Sequence, residues 1–189
     1  MKQIICAFCF LLLSCNTVLA ASSGGKQTVA VVIVGTNDFK TQNFFEYLDD
    51  QLKSEDNSYN LAVGKIPQNK WINYWIAQGY LGEQKPKKKD LVYFTQFSQY
   101  DKVLFMLVQN PVTEKSSRPA GWFNKYEKTR TSVMVIGILS SPKGIINSFS
   151  VSKQDDSEWS DMRAKMGAMK KCARDIGKAL KQYFPKKYD

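Results

Sequence analysis

Apolar and polar positions recur with different periods along the chain, and each change of period marks an element. Thr28-Val29-Ala30-Val31-Val32-Ile33-Val34 is an almost unbroken apolar run rich in β-branched residues. A half-exposed strand would alternate, so this run predicts a strand buried on both faces. Gly35, Asn37 and Asp38 supply turn chemistry behind it. Phe44, Phe45, Leu48 and Leu52 then recur at helical spacing, with Glu46, Asp49, Asp50 and Lys53 on the other side. That is an amphipathic helix. Tyr59 to Val63 reads as a short second strand stopped by Gly64 and Pro67. Trp71, Tyr74 and Trp75, with Ile72 and Ile76, predict a second helix closed by Gly79 and Gly82. Aromatics at this spacing usually press a helix onto a sheet; stacking on a sugar is the sharper alternative.

Lys85-Pro86-Lys87-Lys88-Lys89 reads as a solvated basic loop, with Asp90 as the N-cap of a short helix bearing Leu91, Phe94 and Phe97. Lys102 to Val108 is a second buried strand, ended by Asn110-Pro111. The pattern then breaks. Thr113 to Lys128 reads as a long loop in which Lys115, Arg118, Lys125 and Lys128 are interleaved with Trp122, Phe123 and Tyr126. Long loops are often functional, and the two readings are a binding rim and aromatics folded back over a sheet edge. Thr131–Leu139 and Ile145–Val151 flank Ser140-Ser141-Pro142-Lys143-Gly144, a hairpin signal. Gln154 to Ser157 looks turn-like. From Met162, the residues Met166, Met169, Ala173, Ile176, Leu180 and Tyr183 continue one apolar stripe on a long helix. The class expected is α/β: a mixed sheet of about five strands in β-α-β-α-α-β-β-β-α order, with helices packed on it and a long C-terminal helix.

Composition adds a compartment. Met1-Lys2 followed by apolar Ile4 to Leu13 is the layout of an export signal, too short for the roughly 20 apolar residues of a spanning helix. Two processing outcomes compete: cleavage after Val18-Leu19-Ala20, or lipidation of Cys15 in the lipobox-like Leu12-Leu13-Ser14-Cys15. The domains expected are a signal peptide over 1–20, a tether over 21–27 and one α/β domain over 28–189. Three of four cysteines lie in the leader, so Cys172 has no internal disulfide partner in the mature domain. The net charge of +10 favours anionic surfaces without indicating a specific nucleic acid.

The 189 residues contain no histidine, which removes Ser-His-Asp and Cys-His catalysis and histidine-ligated metals. Gly35-Thr36-Asn37-Asp38 matches a block of SGNH-type hydrolases, but the chain lacks both their Gly-Asp-Ser nucleophile block and their histidine. Asp155, Asp156, Glu158 and Asp161 lack EF-hand spacing. No cofactor fingerprint and no metal site is expected. If carboxylate catalysis exists, its candidates are Asp38 and the Asp155/Asp156 pair.

The order of elements, opening on Val29 to Val34 and returning to a strand at Tyr100-Asp101-Lys102-Val103-Leu104-Phe105-Met106, resembles the periplasmic α/β domain of CsgG-like lipoproteins and the TolB N-terminal domain. The chain departs from that group at Gly64-Lys65-Ile66-Pro67, where an acidic-Arg stretch is usual, and it lacks pore-forming insertions. The resemblance implies a non-catalytic, periplasmic or lipid-anchored envelope component acting through protein contacts. The contact residues expected are Lys87, Lys88, Lys89, Arg118, Trp122, Phe123 and Lys125, with an envelope protein as partner. The alternatives are a carboxylate enzyme and a charge-driven binder of anionic polymer or lipid.

Overall fold

A computed structural model describes residues 26–53, 58–80, 84–120 and 124–184, with the side chains of 118–120 and 124–126 also outside the description. The segment expected to be a signal peptide, Cys15 and the expected tether up to Gly25 lie outside the described residues, as do Gly82, Trp122 and Phe123.

The strands are β1 (Gln27–Val34), β2 (Tyr59–Ala62), β3 (Lys102–Val108), β4 (Val112–Ala120), β5 (Asn124–Ser141) and β6 (Gly144–Ser157). The helices are α1 (Gln42–Leu52), α2 (Lys65–Ala77), α3 (Lys88–Ser98) and α4 (Asp161–Gln182). β1 pairs in parallel with β2 on one side and β3 on the other. The long β5 runs antiparallel to β3, β4 and β6. The α/β class stands, with six strands in the sheet.

The unbroken apolar run of β1 follows from its central position. Val29, Val31 and Ile33 face α1 and α4, while Ala30 and Val32 face α2 and α3. On the first face, all four apolar residues predicted for α1 are buried, together with Met169, Cys172, Ala173, Ile176 and Leu180 of α4. The ends of the predicted α4 stripe are not covered: Met162 and Tyr183 are exposed. On the second face Trp71 centres an aromatic cluster, 5.1 Å from Phe94, 5.3 Å from Phe105 and 5.1 Å from Trp75. The aromatic face of α2 is therefore core, as expected. Ile72, Ile76 and Phe97 are on the outside instead.

Three other expectations are corrected. The segment from Thr113 to Lys128 is not a loop: Val112–Ala120 pairs with Asn124–Ser132 as a β-hairpin, which supplies the sixth strand. Asp155 and Asp156 are not in a turn but in β6, opposite Thr131 and Arg130. The helix predicted to follow an Asp90 cap starts earlier. Asp90 sits in the first turn of α3 and its carboxylate accepts the Lys87 N–H at 2.8 Å, so Lys88 and Lys89 are helical.

One contact holds the core together in an unusual way. β1–β2 pairing ends at Ala30–Ala62, leaving the same edge of β1 without a strand at Ile33. The buried Gln68 of α2 fills that place: its Oε1 accepts from the Ile33 N–H and its Nε2 donates to the Ile33 carbonyl, each at 2.9 Å. A side-chain carboxamide thus stands in for a strand neighbour.

Candidate functional site

The chain passes from β1 through α1 to β2 on one side, and from β2 through α2 and α3 to β3 on the other. α1 covers one face and α2/α3 the opposite one. The winding direction therefore reverses between β1 and β3, and such a switch leaves a crevice outside the strands' carboxyl ends. A cavity of about 290 Å³ lies there, lined among others by Gly35, Thr36, Lys85, Pro86, Gln109 and Asn110. Gly35 is required by geometry: its φ is +116°, and an added β-carbon would lie 2.7 Å from the Val108 carbonyl oxygen. Lys85 Nζ reaches Gln109 Oε1 at 3.5 Å across the cavity's wall.

The Gly35–Asp38 block is occupied with holding this turn. Thr36 Oγ accepts the Asp38 N–H at 3.3 Å. Lys40 Nζ donates to the Gly35 carbonyl at 2.8 Å and to Asn37 Oδ1 at 3.0 Å, and burial lowers the pKa of this ammonium. The Asp38 carboxylate pairs with Lys165 of α4 at 2.7 Å. Its neighbours bind it as an anchor between the turn and the C-terminal helix.

From the same end of the sheet, β4 continues the direction of β3 beyond Pro111, with β5 alongside. β6 accompanies β5 only from Thr129 onward. Ser116–Ala120 and Asn124–Lys128 therefore form a two-stranded arm whose strands, among the described residues, pair only with each other. Its base is clamped by carboxylates. Lys128 and Arg130 both contact Asp156, at 2.9 and 3.0 Å, and Lys115 contacts Asp161 at 3.1 Å. Thr129 Oγ donates to Asp161 at 2.9 Å. The hydrogen bond from Arg130, then that from Lys128, holds the Asp156 carboxyl down at about 2.

Successive strand side chains point to opposite faces, and this separates the predicted carboxylate pair. Asp155 turns toward α4 and pairs with Lys171 at 2.7 Å, while Asp156 faces the arm's cations. The two cannot share a proton or a metal, and Asp38 lies with Lys165. Among the described residues no group of three metal-ligating side chains comes together. Cys172 is buried, 3.4 Å from the Val133 carbonyl, and burial pushes its thiol up to about 11; a protonated thiol there is a packing residue.

The structure brings some of the predicted contact residues to one end of the molecule. Lys87 precedes α3 and Lys88 and Lys89 lie in its first turn, all exposed, close in sequence to the crevice residue Lys85. The arm springs from that end as well. Arg118 and Lys125 lie on its two strands, in adjoining pairs opposite Tyr126 and Pro119. Trp122 and Phe123 fall between the strands, outside the described residues. The crevice itself was missed in the sequence. A glycine behind a buried strand is its only local trace, since the reversal of strand order that creates it is not a local property.

No protein-family model matches the chain, and no curated protein matches it. Solved structures do. The chain is similar to lipoprotein GNA1162 of Neisseria meningitidis, with 13% identity over 80% of this chain and 99% of that one, at a TM-score of 0.41. It is similar to protein CT253 of Chlamydia trachomatis, with 15% identity over 84% of this chain and 98% of that one, at a TM-score of 0.42. Rare lipoprotein B of Shewanella oneidensis matches at 8% identity over 83% and 92%, with a TM-score of 0.34.

Proposed function

We propose that the chain is an exported, non-catalytic component of a bacterial envelope, of the CsgG-like or TolB N-terminal kind. It engages a protein partner with the β4–β5 arm, whose two strands carry Arg118 and Lys125. The observation that carries this reading is the arm. A two-stranded ribbon outside a sheet adds little to the core and is marginal by itself, yet here its base is fastened by Asp156 and Asp161. An exposed strand edge on such a ribbon presents unpaired backbone groups to which a partner's strand can add. Trp122 and Phe123, which lie between its two strands in the sequence, are of the type that dominates interface energies. The export signal and the lipobox-like Cys15 support a periplasmic or lipid-anchored location.

The test uses the tagged full-length chain, captured from detergent-solubilised envelope at low and high salt. A photo-crosslinking residue replaces Lys125 on the arm or, as a control, Asp50 on α1. One protein cross-linked from position 125 and not from position 50 is expected. That product should vanish in Trp122→Ala/Phe123→Ala while thermal unfolding is unchanged. Equal cross-linking from both positions, or none from either, overturns the reading. Intact mass on the same sample separates lipidation at Cys15 from cleavage before Ala21.

A further inference from the structure

The layer formed by α2 and α3 has an outer surface unlike the rest of the molecule. Trp71, Tyr74 and Trp75 of α2 face the sheet, while its outer side shows Ile66, Ile72 and Ile76, 73%, 38% and 57% exposed, among Asn69, Lys70 and Asn73. On α3, Tyr93 and Phe97 are 56% and 67% exposed. Ile72 and Ile76, like Tyr93 and Phe97, are four residues apart, so each pair shares one helix face. Phe97 reaches α2, with its ring 5.9 Å from that of Tyr74.

The charge on this layer has one sign. Lys65, Lys70, Lys88 and Lys89 are exposed, whereas the single carboxylate of the two helices, Asp90, is buried and accepts the Lys87 N–H. The opposite layer mixes both signs: α1 turns Glu46, Asp49 and Asp50 outward, while α4 exposes Arg163, Lys170, Lys171, Arg174 and Lys178.

We propose that the outer face of α2 and α3 lies against an anionic lipid bilayer, with its isoleucines and aromatics in the interfacial region and its lysines among the headgroups. Lysine is depleted from protein–protein interfaces. At a membrane surface its apolar stem lies along the boundary while the ammonium stays in water. Exposed isoleucine, tyrosine and phenylalanine beside lysines, with no exposed acid on either helix, suit the headgroup boundary of an anionic membrane. No helix among the described residues is long and apolar enough to cross a membrane, so the contact is with the surface.

The test is flotation of the purified full-length chain with vesicles of phosphatidylcholine alone or enriched in phosphatidylglycerol. Every protein carries Cys15→Ser, so that an acyl chain cannot anchor it. Binding to the phosphatidylglycerol vesicles alone is expected. Each lysine at an anionic surface strengthens binding about fivefold, so Lys88→Glu/Lys89→Glu should weaken it by about 30-fold or more. Ile76→Ser/Phe97→Ser should weaken it about tenfold or more at constant charge. All four positions are exposed, and thermal melts of both variants should match the parent. Equal binding to both vesicle types overturns the proposal, as does insensitivity of binding to Ile76→Ser/Phe97→Ser. So does a dimer in sedimentation that this double variant dissociates, which would assign the face to a second copy. Because none of these substitutions touches the arm, failure here leaves the cross-linking result intact.

Discussion

Replacing Gln68 by methionine keeps the volume of the side chain and removes only its two hydrogen bonds to Ile33. The cost follows from where those bonds lie. Ile33 is fully buried in the central strand, its N–H and carbonyl both point to the edge that β2 fails to reach, and Gln68 is itself only 3% exposed. Neither group gains water when the carboxamide is gone. Each then carries an unpaired-group penalty of about 1–3 kcal/mol, so Gln68→Met should cost about 2–6 kcal/mol in all. At about 2–4 °C per kcal/mol for a domain of this size, the expected fall in melting temperature is about 8–16 °C at the middle of that range. Urea unfolding should show a lower midpoint at unchanged slope. Hydrogen exchange should show the Ile33 amide losing protection beyond the global change.

Gln68→Glu sharpens the test through its pH dependence. The introduced carboxylate can accept from the Ile33 N–H but must face the Ile33 carbonyl, so burial and repulsion both raise its folded pKa. A raised folded pKa gives stability that is present in acid and lost as pH rises through that value. The variant should therefore be least stable, relative to the parent, at neutral pH. If Gln68→Met lies within about 0.5 kcal/mol of the parent, with the Ile33 amide still protected, the argument fails.

Two further outcomes follow from the switch-point turn and the arm's base. Gly35→Ala meets both a positive φ and the Val108 carbonyl at 2.7 Å, whereas Gly64, at φ +118°, has open space around it. Chemical denaturation should place the loss for Gly35→Ala at about 2–4 kcal/mol and above that for Gly64→Ala; equal losses would contradict the close approach of the strand ends. The depressed Asp156 pKa contributes stability that is complete above 3.8 and lost as pH falls through about 2. The stability gap between the parent and Asp156→Asn should therefore close between those values in pH-resolved urea melts, and a constant gap would mean that Lys128 and Arg130 do not clamp this carboxylate.

What could be read from the chain was what periodicity reports, and periodicity reports burial. β1, β3, α1 and the middle of α4 are covered on the sides their patterns indicate, because their apolar residues repeat with the period of the backbone. The β4–β5 hairpin reads as a loop in the sequence for the same reason. Its strands run Val112-Thr113-Glu114-Lys115-Ser116-Ser117 and Asn124 onward with little apolar alternation; Ser116, Ser117, Glu127 and Lys128 are exposed, and the strands are held by backbone pairing, which carries no side-chain signature. Asp155 and Asp156 looked like a turn and a carboxylate pair, yet a strand's two-residue period sends them to opposite faces.

Ile72, Ile76 and Phe97 show the converse limit. Their apolarity is local, but whether it meets a core or solvent depends on how α2 and α3 are rotated against the sheet. That rotation is set by Trp71, Trp75 and Phe94 packing beneath them. By itself, then, the sequence determined the class of fold, the absence of histidine chemistry and the segments that must be buried, each a property of neighbouring residues. The tertiary structure alone decided the β1/β3 switch and its crevice, the arm, the Gln68 substitute for a missing strand and the basic apolar face. Each of these depends on residues far apart in the chain being brought together, and no local period encodes that.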